Sequence, residues 1–231
     1  MLLLAALTLS TPASAQSWEP HPCRGGDPTL RETLEGGEPI TIGPTTRNPT
    51  PHEDSFANAI SSSHLAAPGA APAADADPLI GDRPKDQWSC TYAAPAAIDG
   101  NLKTAWVEGA PGPGVGEVLL VPITSQKLEI AIGCSAAPEY FAMNNRPKDV
   151  EVSLLYATEK LGVQTGFVYV AQPVTTIAVA LEDTPGWQPL PLPPYEGGDA
   201  DAQQFVAITL GGVYPGSTYQ DTCISEIRAA Q

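Results

Sequence analysis

Residues 97–106 hold the groups with the clearest chemistry. Asp99 and Gly100 are a turn signal, Thr104 adds a hydroxyl a few residues on, and Trp106 returns the chain to a core. Asp99 and Thr104, with carbonyls of the same loop, supply hard oxygens of the kind calcium takes, about six to eight per ion. Read in isolation, the stretch is first a tight Asx-turn ahead of a strand.

A second set of groups suits the gripping of sugars, in which aromatic faces stack on apolar ring sides and polar groups fix the hydroxyls. Trp187 stands at an expected hairpin tip, Tyr140 and Phe141 in a loop before Asn144, and Tyr214 and Tyr219 on either side of Pro215 and Gly216. Trp187 is the first choice of platform and Tyr140 the next, with Asn144, Asn145 and Arg146 as hydrogen-bonding partners. Each aromatic has a packing role as its alternative, and Asn144 and Asn145 have turn chemistry as theirs.

Catalysis is hard to build from this chain. The three histidines, His21, His52 and His64, all precede the part expected to fold. That leaves no histidine there to activate a serine or cysteine or to bind a metal. No Gly-x-Ser-x-Gly elbow occurs. Acidic residues are plentiful, but most alternate with apolar ones as a solvated face would, and no acid and nucleophile pair stands out. The expectation is a chain without catalytic residues. The Gly-x-Gly-x-Gly run at 112–116 lacks the lysine of a phosphate loop and reads as a turn.

The elements that position these groups follow from composition and patterning. With 26 acidic and 11 basic residues the net charge is -15, which argues against nucleic acid and anionic membrane surfaces. The 25 prolines and 21 glycines point to short strands and many turns. Residues 1–15 read as a signal peptide: an apolar run too short to span a bilayer, then Ala13, Ser14 and Ala15 as a small-residue cleavage site. It lacks the usual basic start, so the start codon is expected upstream. No later stretch is apolar enough to anchor the product, and the expected location is secreted or periplasmic. Residues 16–84 are rich in Pro, Ala and Gly and read as a mostly disordered linker, with residues 38–43 suited to one short strand.

From residue 85 the pattern has period two. Leu128, Ile130 and Ile132 alternate with polar or small residues, as do Val150, Val152 and Leu154, then Ile177, Val179 and Leu181, then Val206, Ile208 and Leu210. Further strands are expected near 116–122, 163–171, 187–192 and 222–229. No window has a helical stripe, so the fold class is all-β, an antiparallel two-sheet sandwich over residues 85–231. Cys23, Cys90, Cys134 and Cys223 are an even number in an exported chain and read as two disulfides, with three pairings open.

Several separated motifs in order carry a resemblance: Asp99-Gly100 with Thr104-Ala105-Trp106, then Val107-Glu108-Gly109, then residues 144–148, and finally Cys223-Ile224-Ser225-Glu226-Ile227. Together they resemble the galactose-binding, F5/8 type C (discoidin) superfamily, and more narrowly the translocation domain, glycan-binding in type, of some secreted bacterial NAD glycohydrolases. The resemblance implies a jelly roll and a non-catalytic binding module for cell-surface or wall glycans; a structural or protein-interaction domain of translocation type is the alternative. It concerns the toxin's non-catalytic part and implies no NAD cleavage. It also brings Glu226 of the last strand beside the 99–104 loop, which implies a structural calcium ion held by Asp99, Thr104 and Glu226; a salt bridge from Lys103 is the rival means of neutralising those carboxylates. Because the first and last strands of such sandwiches lie side by side, it implies a Cys90–Cys223 disulfide, leaving Cys23 with Cys134.

Overall fold

The computed structural model describes residues 23, 26–50, 53–76, 83–163, 166–195, 197 and 202–231. The expected signal peptide, His21 and His52 lie outside the described residues. In chain order the strands are β1 (Ile40–Ile42), β2 (Thr45–Thr50), β3 (Glu53–Ala57), β4 (Ile60–Ser61), β5 (Trp106–Val107), β6 (Val118–Ile123), β7 (Leu128–Ile132), β8 (Arg146–Val163), β9 (Gly166–Ala180), β10 (Trp187–Leu190), β11 (Gln204–Tyr214) and β12 (Cys223–Ala229). Among the described residues three short α-helices, α1 (Leu30–Glu35), α2 (Arg83–Ser89) and α3 (Pro138–Met143), and one 3₁₀ turn (Ala94–Ala97) join them.

The expected all-β architecture is what the chain adopts. One sheet runs β1-β9-β8-β11-β6-β4, the second runs β10-β7-β12-β5, and β2 with β3 makes a separate hairpin. Residues at alternate positions meet between the two large sheets: Val121, Ile130, Val152, Ile208 and Ile224 are buried there with the Trp106 indole, whose Nε1 donates to the Ser63 carbonyl at 2.9 Å. This is the core that the period-two pattern anticipates. The segments expected near 163–171 and 176–181 fall largely in one continuous strand, β9, paired along its length with the still longer β8.

The described part of the segment expected to be a linker, residues 26–50 and 53–76, carries a helix and four strands instead. Asp27 starts a turn whose Oδ1 accepts from the N–H and hydroxyl of Thr29, and α1 follows, ending at Gly36 and at Gly37 with φ +67°. β1 then adds to the edge of β9, with Ile42 opposite Tyr169, and β4 adds to the other edge against β6. Leu30, Ile40 and Ile42 are buried against Val118, Leu120, Leu155 and Phe205 on the sheet face that points away from the main core. Hence Leu119, Leu120 and Val121 are all buried although they face opposite ways: both sides of this sheet are covered. The expected boundary at residue 85 falls inside α2. A segment poor in apolar residues folds here because three of them reach a ready-made apolar face. His64 also belongs to the folded body, buried, with its pKa lowered by desolvation.

The disulfide pairing implied by resemblance is corrected. Cys23 bonds Cys90, with Cα atoms 5.0 Å apart, and Cys134 bonds Cys223 at 5.2 Å. Cys90 sits just after α2 rather than on a first strand beside β12. The neighbours of β12 are β7 and β5, so Cys134, directly beyond β7, is what meets Cys223; the Gly133 N–H donates to the Cys223 carbonyl at 2.9 Å.

Candidate functional site at the loop end of the sandwich

One end of the sandwich gathers most of the residues singled out for binding. α3 enters through Pro138, and Asn144 closes it, its backbone N–H and its side-chain Nδ2 both donating to the Tyr140 carbonyl. Residues 215–221 lie against this helix through N–H donation from Ser217 to Ala142 and from Thr218 and Tyr219 to Met143. Asn145 and Arg146 are buried beneath. Asn145 donates through Nδ2 to the Gln220 carbonyl and accepts the Gly216 N–H at 2.7 Å. Arg146 holds both oxygens of Asp183 at 2.8 Å and the carbonyls of Asn144 and Pro215, with its guanidinium against the Phe141 ring. The guanidinium draws the Asp183 carboxyl below its ordinary pKa.

Of the expected ligand contacts, Asn145 and Arg146 therefore position the loops rather than face a ligand, and Phe141 packs on the core. Tyr214 donates its hydroxyl to the Leu181 carbonyl at 2.9 Å. Tyr140 and Tyr219 are what remains open, at 45% and 47% exposure, on two segments hydrogen-bonded to each other. Trp187 is elsewhere. It opens β10 opposite Ala131, not at a hairpin tip, and the Arg228 guanidinium lies 3.7 Å from its ring centroid. Arg228 is itself fixed by Glu129 Oε2 at 3.0 and 2.9 Å, so one face of the indole is already covered.

Residues 98–104 fold over the outer face of the smaller sheet, where Glu226 stands opposite Ala131. Gly100, at φ +80°, makes the turn, and the N–H groups of Gly100 and Asn101 both donate to Glu226 Oε2, at 3.0 and 3.1 Å. Asp99 Oδ1 accepts from the Asn101 N–H, and Lys103 contributes its backbone N–H to Asn101 Oδ1. Asp99 and Thr104 thus share one loop, whose Gly100 and Asn101 amides face Glu226 of β12. Among the described residues no three His, Cys, Asp or Glu side chains gather as metal ligands. A cation here needs the hydroxyl and carbonyl oxygens as well. Those are close: Thr104 Oγ1 stands 2.9 and 2.8 Å from the Asp99 oxygens and 2.7 Å from the Asn101 carbonyl. One hydroxyl proton serves one of these three acceptors, so oxygens crowd together, a donor set that suits a hard cation.

Sequence reasoning missed Glu108. It follows β5 and is fully buried beneath residues 109–116, with Oε1 accepting the Thr222 N–H at 3.1 Å and Oε2 the Ala110 N–H at 2.8 Å. The loop presses so closely that a Cβ at Gly114 would lie 2.4 Å from the carboxyl carbon. Burial raises its pKa to about 7, helped by the charges of Asp221 and Glu117 and opposed by the two amides. The available signal was a carboxylate placed directly between a strand and a Gly/Pro run.

No curated protein matches the chain. Among solved structures, the arabinofuranosyltransferase AftD from Mycobacteria is similar at 18% identity and TM-score 0.38, covering 82% of this chain and 10% of that one. The F5/8 type C domain of a Bacteroides fragilis protein is similar at 15% identity and TM-score 0.30, covering 61% of this chain and 82% of that one. A Ruminococcus gnavus GH29 fucosidase in complex with fucose is similar at 10% identity and TM-score 0.31, over 81% and 27% of the two chains. These scores carry no argument, and this chain spans about a tenth of the transferase. A family profile is more direct, matching residues 82–230, well over half the chain, and by that match the chain belongs to the NAD glycohydrolase translocation F5/8 type C domain family.

Proposed function

We propose that this chain is an exported, non-catalytic binding module whose ligand is a glycan of a cell surface, wall or matrix. One observation carries the reading: Tyr140 and Tyr219 are both open on abutting segments that the buried Arg146 and Asn145 networks hold still. Rigid aromatic faces next to the Asn144 amide and the Ser217 and Thr218 hydroxyls are the equipment that sugar rings need. The two disulfides support an oxidising location. No helix among the described residues is long and apolar enough to cross a membrane. The second reading, a protein-contacting domain of translocation type, is favoured by the name of the matched family.

A glycan array separates the two. Tyr140→Ala and Tyr219→Ala should each weaken retained glycans by about tenfold, the loss of one stacking contact. Trp187→Ala should lower stability by about 1 kcal/mol through its lost contact with Arg228 and leave binding unchanged. An array that retains nothing, together with specific co-purifying proteins, would favour the second reading.

The proposal includes a structural calcium ion held by Asp99, Thr104 and Glu226 with loop carbonyls. It would pin residues 98–104 to β12 and act on stability, not on chemistry. Calcium at ten times its Kd should raise the melting temperature by about 4 °C, EDTA should reverse the shift, and Asp99→Ala should abolish it. A metal-stripped chain whose melting curve calcium leaves in place would rule the ion out.

A further inference from the structure

The opposite end of the sandwich is built differently. β11 begins at Gln204, opposite Tyr156, while β8 and β9 run on to Val163 and back from Gly166. An N–H bond from Ala157 to the Gln203 carbonyl, 2.9 Å, marks the border. Beyond it lies a cleft of about 590 Å³ between residues 157–160 on one side and residues 123–126 and 202–204 on the other, with Tyr169 in its wall.

The lining holds three glutamine amides that are only partly engaged. Gln126 Nε2 donates to Gln204 Oε1, and Gln203 Nε2 donates to the carbonyls of Ile123 and Gln204. Among the described residues this leaves Gln126 Oε1 and Gln203 Oε1 as acceptors and Gln204 Nε2 as a donor without a protein partner. Glu159 and Lys160 add one charge of each sign, and neither forms an ion pair among the described residues; Lys160 Nζ lies 3.9 Å from the Phe167 ring centroid. Opposite charges side by side disfavour a strongly charged ligand, whereas amide donors and acceptors pair naturally with adjacent hydroxyls.

We propose that this cleft is a second saccharide-binding site, for a neutral sugar bearing vicinal hydroxyls, at the end of the sandwich opposite Tyr140 and Tyr219. The inference rests on the glycan reading above and deepens it. β8 starts beside α3 and reaches the cleft at Ala157, so the two sites are separated by roughly 35 Å of strand. At that separation one chain bridges two glycans, or two stretches of a long one, and gains avidity on a dense surface.

The test is ¹⁵N NMR titration of the full chain with lactose, with cellotetraose and with every glycan that an array of neutral oligosaccharides retains. Amide shifts at residues 124–126, 157–160 and 202–204 are expected for at least one of them. Gln126→Ala and Lys160→Ala, with unchanged melting temperatures, should each weaken that binding by about tenfold, the loss of one hydrogen bond. Shifts confined to the Tyr140 and Tyr219 end would overturn the second site and leave the proposed function standing. An array and titrations without any binding would overturn both.

Discussion

Between pH 5 and pH 8 the native chain should lose stability to urea as pH rises, and Glu108→Gln should remove most of that slope. The free carboxyl titrates at 4.5 and the buried one at about 7, so the folded state holds a proton that the unfolded state has released. Its contribution is complete below pH 4.5 and is lost as pH rises through 7. The difference corresponds to at most about 3 kcal/mol by linkage. Asp221 and Glu117 add their charges to that of Glu108, which favours the protonated form further. His64, with its lowered pKa, acts in the opposite sense, losing stability only as pH falls below 6.5, so subtraction of the variant from the native curve isolates Glu108. The variant should also be less stable than the native chain at pH 5, by about 1–3 kcal/mol, because an amide nitrogen cannot accept the N–H that one of the two oxygens now accepts. Parallel curves for the two proteins would show that Glu108 does not titrate in this range.

The division between what was readable in the sequence and what was not has a physical basis. Strand positions were legible because Leu128, Ile130 and Ile132, or Val206 and Ile208, are apolar for one reason only, a place between two sheets. The turn at Asp99 was legible through Asp-Gly, which needs the positive φ found at Gly100, whereas the approach of Glu226 on β12 to that loop followed only from the resemblance. Roles of side chains were less so. Asn145 and Arg146 carry groups equally fit for a ligand or for orphaned loop carbonyls, and only the path of residues 214–221 decides between them. One face of Trp187 is taken by Arg228, which the register of β10, β7 and β12 places beside it. The disulfides failed for the same reason: pairing depends on which strands become neighbours, and spacing does not encode that.

The fragment from the start of the family match to the last residue, 82–231, should fold poorly without what precedes it, and this is the largest effect expected for any change in the chain. Leu30, Ile40 and Ile42 together bury side chains worth roughly 5–8 kcal/mol against the outer face of the larger sheet. That sum is comparable to the whole net stability of an ordinary domain, about 5–15 kcal/mol. Removing the segment also uncovers Val118, Leu120, Leu155 and Phe205 and strips β9 and β6 of their edge partners β1 and β4. The Cys23–Cys90 bridge, spanning 67 residues, holds the segment in place and adds about 4 kcal/mol by restricting the unfolded chain. The full chain should resist limited proteolysis from residue 26 through 44 and bind little of the dye ANS; the 82–231 fragment should bind ANS strongly and associate at micromolar concentration. A synthetic peptide of residues 26–44 added to the fragment should restore part of the protection by rebuilding β1 and seating Leu30. Leu30→Ala in the full chain should reproduce a portion of the loss, about 2–4 kcal/mol. A monomeric, ANS-silent fragment as stable as the full chain would show that the outer face needs no cover.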